Sequence, residues 1–286
     1  MPKKQTRKTR SLPVQWEELT ASDFPEAVRR AKGVCVLPIG VIEKHGPHLP
    51  LGTDVMAVRE ASIQAARREY AVVFPYYYFG QIFEARHQPG TLAIRPELLN
   101  ALLESMCDEI ARNGFHKILI VNGHGGNTSW LSFFCQVQLA QQKDYVVCVA
   151  RDHWEQEAQE QVRALRKTDW GGHADEVETS QMMAVRPDLV QLHRAGDESG
   201  RPRGRLKHLG NAHTGIWWYA DFPNHYAGDA RPANVKLGEL ALEGWVKGLV
   251  EVVRAVKKDK AAQRLQDEFH GRAQGPLAPE GRMRRR

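Results

Sequence analysis

Three apolar runs limit what this chain can fold into more than any other feature. Val34-Cys35-Val36-Leu37-Pro38-Ile39, Lys117-Ile118-Leu119-Ile120-Val121 and Tyr145-Val146-Val147-Cys148-Val149-Ala150 are almost continuously hydrophobic. A strand with one wet face alternates apolar and polar residues. A continuous run marks a strand covered on both faces, the usual state in parallel sheets. Ala71-Val72-Val73-Phe74, closed by Pro75, is a shorter fourth candidate. Helical patterns lie between the runs. From Ala57 to Tyr70, Ala57, Ala61, Ala65 and Ala66 share an inner face with Arg59, Arg67 and Arg68 outside. Pro96 opens a helix that aligns Leu98, Leu102, Met106 and Ile110 and stops near Asn113-Gly114. Ser129 to Gln142 and Val235 to Val256 also read as helices, and a short one is expected between Trp16 and Arg30. Strands alternating with helices predict the α/β class, a three-layer α/β/α sandwich with a mostly parallel sheet. With no repeat and no interdomain linker, residues 1–12 read as a basic disordered tail and 13–257 as one domain. Residues 258–286 read as a polar, basic tail that frays.

Charge matters here through its position. The formal net charge is +6, but five positive residues fall in the first ten and four in the last five, which leaves about −3 for the body. Solvated, disordered ends account for this, with weak attachment to a polyanion as the sharper alternative. No apolar run approaches the ~20 residues needed to cross a bilayer, and no apolar segment follows the basic N-terminus, so a cytoplasmic protein is expected. Cys35, Cys107, Cys135 and Cys148 form no CxxC pair and sit in strand- or helix-like runs, as buried free thiols would.

The chemistry-bearing residues cluster where strands end. Glu43-Lys44-His45-Gly46-Pro47-His48-Leu49-Pro50-Leu51-Gly52-Thr53-Asp54 follows the first apolar run, and Asn122-Gly123-His124-Gly125-Gly126-Asn127 follows the second. In a parallel sheet both loops leave from the carboxyl rim, where ligands bind, so two distant motifs become one site. Glu43 and His45 alternate along an extended segment and face one point, and the glycines and proline beyond them can turn Asp54 back towards it. His, Asp and Glu are the donors a hydrolytic divalent-metal centre requires, and a carboxylate such as Asp54 can bridge two ions. His48 and His153, taken singly, read as ordinary hydrogen-bonded histidines. Trp217, Trp218 and Tyr219 read as core or subunit interface rather than pocket wall.

These strings, together with Pro89-Gly90-Thr91 and the segment from His173-Ala174 to Glu178-Thr179-Ser180, resemble the motifs of the creatininase (creatinine amidohydrolase) family. The resemblance runs from about Val34 to Leu189, with a weaker echo from Gly228 to Gly238. It implies an α/β/α fold, a homo-oligomer (often a hexamer), and two divalent metal ions per subunit (Zn, Mn or Fe). Glu43, Asp54 and His124 would hold one ion, and His45 with Asp54 the other. In creatininase proper the glycine motif reads NGHYEN, and its Glu is a further ligand; here Gly126 stands in that place. Glu176 is expected to supply the missing ligand. Glu178 is the rival for that place, or a catalytic carboxylate beside His173, or a structural acid paired with an arginine. Gly125, where creatininase proper has Tyr, weakens creatinine as substrate.

The expected function is therefore metal-dependent hydrolysis of a C–N amide bond, cyclic or linear, in a small-molecule substrate. A metal-activated water attacks the carbonyl, and His173 passes a proton to the leaving nitrogen. The alternatives are creatinine amidohydrolase proper and a non-catalytic polyanion-binding protein with a vestigial metal site. No nucleic-acid-binding motif lies between the tails, so nucleic acid is not expected as a partner.

Overall fold

A computed structural model describes residues 12–150 and 154–277. The basic stretches at both ends, apart from Leu12, and His153 lie outside the described residues. In chain order the elements are α1 (Phe24–Arg30), β1 (Val34–Ile39), α2 (Thr53–Arg68), β2 (Val72–Val73), α3 (Pro96–Arg112), β3 (Lys117–Asn122), α4 (Asn127–Val137), β4 (Val146–Ala150), α5 (Gln156–Leu165), α6 (Glu176–Val185), α7 (Trp217–Asp221), α8 (Val235–Lys258) and α9 (Ala262–Ala273).

The four strands form one parallel sheet in the order β2-β1-β3-β4. Side chains of successive strand residues point to opposite faces, and two cores result. Val34, Val36, Leu119 and Val121 pack with Ala57, Val58 and Ala61 of α2 and with Leu242, Trp245, Val246 and Leu249 of α8. Cys35, Leu37, Ile39, Ile118 and Ile120 pack with Leu103, Cys107 and Ile110 of α3 and with Leu131 and Phe134 of α4. Helices therefore cover both faces, and the expected three-layer α/β/α architecture is the observed one. None of the four cysteines forms a disulfide; Cys35 and Cys107 are buried, and Cys135 and Cys148 partly so.

The strand order also places the site. From β1 the chain crosses to β2 on one side, and from β3 it crosses to β4 on the other. The winding reverses between β1 and β3, and such a switch point leaves a crevice at the carboxyl ends of the two strands. Ile39 pairs with Asn122, so the Glu43 and His124 loops leave the sheet at one level. Helix α2 begins at Thr53, so Asp54 sits in its first turn rather than in a loop. Gly40 makes that turn possible at close range, because a Cβ there would lie 2.6 Å from the Val55 nitrogen.

Two helix starts in the C-terminal half are built by side chains. Asp175 caps α6, its Oδ1 accepting from the Val177 and Glu178 amides at 3.0 Å each, and Asn234 caps α8 through the Leu237 amide. Among the described residues no helix is long and apolar enough to cross a membrane. The segment after Lys258 differs from the frayed tail expected. Asp259 accepts from the Ala261 and Ala262 amides, and Gln263 and Gln266 reach the carbonyls of Lys143 and Tyr145. Its anchors are polar, which hid the helix from a reading based on apolar periodicity.

Candidate metal centre

Glu43 and His45 leave β1 on an extended path, and both are fully buried. The His45 Nε2 lies 3.0 Å from Asp54 Oδ1, 3.6 Å from Glu178 Oε1 and 3.9 Å from Glu43 Oε1. His124, after β3, brings its Nδ1 to 2.9 Å from Glu43 Oε1 and 3.1 Å from Asp54 Oδ2. Asp54 thus stands between the two imidazoles with one oxygen toward each. Four residues expected from the strand-end motifs meet here: Glu43, His45, Asp54 and His124.

Glu176 and Glu178 separate. Glu176 is buried but faces away, its carboxylate accepting from the Lys167 and Thr168 amides at 2.7–3.0 Å. It does not join the cluster where the fifth ligand was expected. Glu178 does, with Oε1 toward His45 and Oε2 accepting from the Ala174 amide. The cause is helical geometry: two residues apart on α6 means about 200° around the axis, so only one of them can face the crevice. Nor is an arginine the partner of Glu178; Arg166 pairs with Asp175 instead.

His173 packs between His45 and His225, with ring centroids 4.3 and 4.5 Å away. Its Nε2 is 2.8 Å from the Lys44 carbonyl, which can only accept, so Nε2 carries the proton and Nδ1 keeps its lone pair. Lys44 itself turns outward to Glu198 at 2.7 Å.

Two residues that the motifs did not single out complete the surroundings. His225 sits in the left-handed region at φ 52° and bonds Glu43 Oε2 through Nε2, while its Nδ1 accepts from the Trp218 indole N–H at 2.9 Å. A non-glycine residue at positive φ is costly and needs a surrounding structure to hold it. Glu84, on the short 3-10 turn Phe83–Ala85, lies beside Gly126 on the outer side of His124. The only sequence signal for His225 was its place in Asn224-His225-Tyr226 just before the Gly228 echo; for Glu84 there was none. Trp218 and Tyr219, expected in the core or at a subunit interface, both lie close to the site. Trp218 orients His225, and Tyr219 walls a cavity of about 680 Å³ with Phe83, Glu84, Arg86 and Ile216.

The electrostatics are those of interlocked opposite charges. Burial would raise Glu43, but His124 and His173 outweigh it and hold its carboxyl well below the usual range. Burial would discharge His45 and His124; Asp54 and Glu178 raise the first well above an ordinary imidazole, and Glu43 and Asp54 raise the second. Glu178, despite burial, is held down at about 2 by His45. His173 goes the other way: burial and then His45 lower it, so it is neutral at pH 7. Burial raises Glu84.

The donor set fits a divalent cation. Glu43, His45 and Asp54 bring one donor atom each within 4.8 Å of one another, and so do His45, His173 and Glu178. Glu43 Oε1 and Asp54 Oδ2 are buried and, despite their closeness to His124, lack hydrogen-bonding geometry. Buried polar atoms are nearly always satisfied, and carboxylate oxygens orphaned beside imidazole nitrogens are arranged as ligands are.

Such a donor set, sunk at the switch point of a parallel sheet, places the chain in a class: α/β proteins with side chains that could hold divalent cations at the carboxyl rim of the sheet. Comparison with known proteins supplies the family. The family model for Creatininase (creatinine amidohydrolase) matches residues 17–253. The chain is 27% identical over 254 residues to the creatinine amidohydrolase of Pseudomonas putida, covering 83% of this chain and 95% of that one. It is 24% identical over 274 residues to the 3-dehydro-scyllo-inosose hydrolase of Thermotoga maritima, covering 88% and 86%. A manganese form of creatininase superposes with a TM-score of 0.73 at 24% identity, over 87% of this chain and all of that one, which shows the shared fold. The chain belongs to the creatininase family, and it is a hydrolase.

Proposed function

We propose that this protein hydrolyses a C–N amide bond of a small molecule at a centre of two divalent ions. Glu43, Asp54 and His124 would hold one ion; His45, Asp54 and Glu178 would hold the other. The observation that carries this reading is the pair of orphaned carboxylate oxygens on Glu43 and Asp54, 2.9 and 3.1 Å from the His124 imidazole and next to the Glu43, His45 and Asp54 donor group. Glu178 takes the fifth ligand place because Glu176 is committed to backbone amides. When bound, the ions supply a water of lowered pKa and polarise the scissile carbonyl.

The chain's own residues do the rest. His173, neutral and fixed by the Lys44 carbonyl, offers Nδ1 to take a proton and return it to the leaving nitrogen. The Trp218–His225 hydrogen bond holds the His225 Nε2–H on Glu43, which fixes that carboxylate's orientation. The neighbouring cavity offers Phe83, Ile216 and Tyr219 as apolar wall and Glu84 and Arg86 as charged groups, so a substrate with both an apolar and a polar part suits it. An assembly of identical subunits, as the resemblance implies, is measured by sedimentation.

The test is a panel of cyclic and linear amides, with creatinine and an inosose included, assayed after chelation and after reloading with Zn, Mn or Fe. Amide hydrolysis that disappears with the metal and returns on reloading supports the reading, and His173→Ala should lower kcat by about 10²–10⁴-fold. Reloaded protein that cleaves the inosose and no amide refutes the bond class. Protein that takes up no metal refutes the centre.

A further inference from the structure

We propose that Glu84 is a positioning residue for His124, the acceptor that fixes which ring nitrogen His124 presents to the centre. This rests on the metal-centre reading above.

The argument begins with the proton on His124. Its Nδ1 faces Glu43 and Asp54 at 2.9 and 3.1 Å. To bind a cation through Nδ1 the ring must give up the proton there, and a neutral imidazole then carries its hydrogen on Nε2. That Nε2 is buried and has no hydrogen-bond partner. A ligating histidine usually donates its second N–H to a carboxylate or carbonyl, which sets tautomer and ring orientation.

Gly126 shows where that carboxylate comes from. A Cβ at position 126 would lie 2.5 Å from His124 Nε2 and 2.7 Å from Glu84 Oε1. Both atoms therefore crowd one point, and the missing side chain leaves the line between them open. A modest rotation of the Glu84 carboxylate, or one bridging water, completes the bond. Gly126 itself is in the ordinary right-handed helical region (φ −61°, ψ −24°), so its backbone does not demand glycine; the closeness of Glu84 and His124 does.

The turn that carries Glu84 is also built to stay there. Ile82 and Ala85 are buried and pack with Val41. The Gln81 amide donates to Asn127 Oδ1 at 2.8 Å, and Asn127 in turn donates to Asn122 Oδ1 at 3.2 Å. The two asparagines of the glycine-rich motif thus clamp the Glu84 turn against the loop that carries His124. Because Glu84 also lines the adjoining cavity, it is the side chain through which a molecule in that cavity would meet the outer edge of the centre.

The experiment compares zinc affinity, by competition with a chromophoric chelator, for wild type, Glu84→Ala, Glu84→Gln, Gly126→Ala and His124→Ala, alongside the melting temperature of each metal-free protein. Glu84→Ala should bind zinc about 10–100-fold more weakly with its metal-free melting unchanged. Glu84→Gln, whose amide oxygen still accepts, should recover most of that loss, and Gly126→Ala should weaken binding as Glu84→Ala does. A purely structural role would move the melting temperature and would not distinguish Gln from Ala. Wild-type affinity in Glu84→Ala, with binding lost in His124→Ala, overturns the proposal and leaves the metal centre standing. Equal losses in Glu84→Gln and Glu84→Ala overturn the acceptor argument. A wild type that binds no zinc overturns this proposal together with the metal-centre reading.

Discussion

Replacing Glu176 and Glu178 one at a time by alanine should give opposite outcomes, although the two residues share one turn of α6. Glu176 holds the Lys167 and Thr168 amides with a fully buried carboxylate. A hydrogen bond to a charged group contributes about 1.5–3 kcal/mol. Both amides lie near the surface, where water replaces part of what is lost, so the lower end applies and Glu176→Ala should cost about 2–3 kcal/mol. For a domain of this size each kcal/mol shifts melting by about 2–4 °C, which gives a fall of roughly 5–10 °C in the metal-free protein. Its metal content should stay that of wild type. Glu178→Ala removes a group 3.6 Å from His45 and should lose at least one of the two proposed ions while melting, metal-free, closer to wild type. Elemental analysis of dialysed protein and calorimetry after chelation read the two quantities separately. Metal lost from Glu176→Ala with unchanged melting, and retained in Glu178→Ala, would refute the assignment.

Trp218→Phe deletes the 2.9 Å hydrogen bond to His225; it should cost about 1 kcal/mol in stability and lower kcat more than it raises KM in steady-state assays. His48 contributes to acid sensitivity. Burial lowers its pKa to about 4, its Nε2 lies 2.8 Å from Thr179 Oγ1, and its Nδ1 is orphaned. Above pH ~6.5 the ring is neutral folded or unfolded and pH has no effect through it. As pH falls from ~6.5 toward 4 only the unfolded chain gains the proton, which removes about 3 kcal/mol of stability. Denaturant titrations of metal-free His48→Asn against wild type should show that difference grow across this window; a constant difference refutes it. Gly40→Ala places a methyl 2.6 Å from the Val55 nitrogen and should destabilise by about 1–3 kcal/mol, with weaker metal binding because the turn carrying Asp54 must shift; unchanged affinity would show that the turn adapts.

The strand layer and half of the site were legible because each depends on short-range pattern. Continuous apolar runs revealed β1, β3 and β4, and motifs lying just past two strand ends brought Glu43, His45, Asp54 and His124 together. The choice between Glu176 and Glu178 was not legible. It depends on the rotational phase of α6, set by the Asp175 cap and by packing on α8, and neither leaves a mark in the spacing of two glutamates. His225 and Glu84 come from segments 182 and 41 residues away from Glu43 in the chain, on a left-handed residue and a three-residue turn. Such short irregular pieces have no periodicity, and only the folded chain shows what they touch. Helix α9 was missed for a related reason, since glutamine and aspartate hold it in place rather than an apolar stripe.

The placement of α8 has a consequence for how the protein is made. That helix covers the sheet face formed by Val34, Val36, Leu119 and Val121 and packs on α2, α5 and α6, yet it follows all four strands in the chain. A ribosome emits the β1–α2–β2–α3–β3–α4–β4 core long before residues 235–258 emerge. Until then that side of the sheet lacks the cover of Leu242, Trp245, Val246 and Leu249. Newly made chains must therefore spend the interval with an apolar sheet face open to water, the period in which chaperones would bind them, and a message truncated anywhere before α8 would yield protein prone to aggregate rather than a smaller working enzyme.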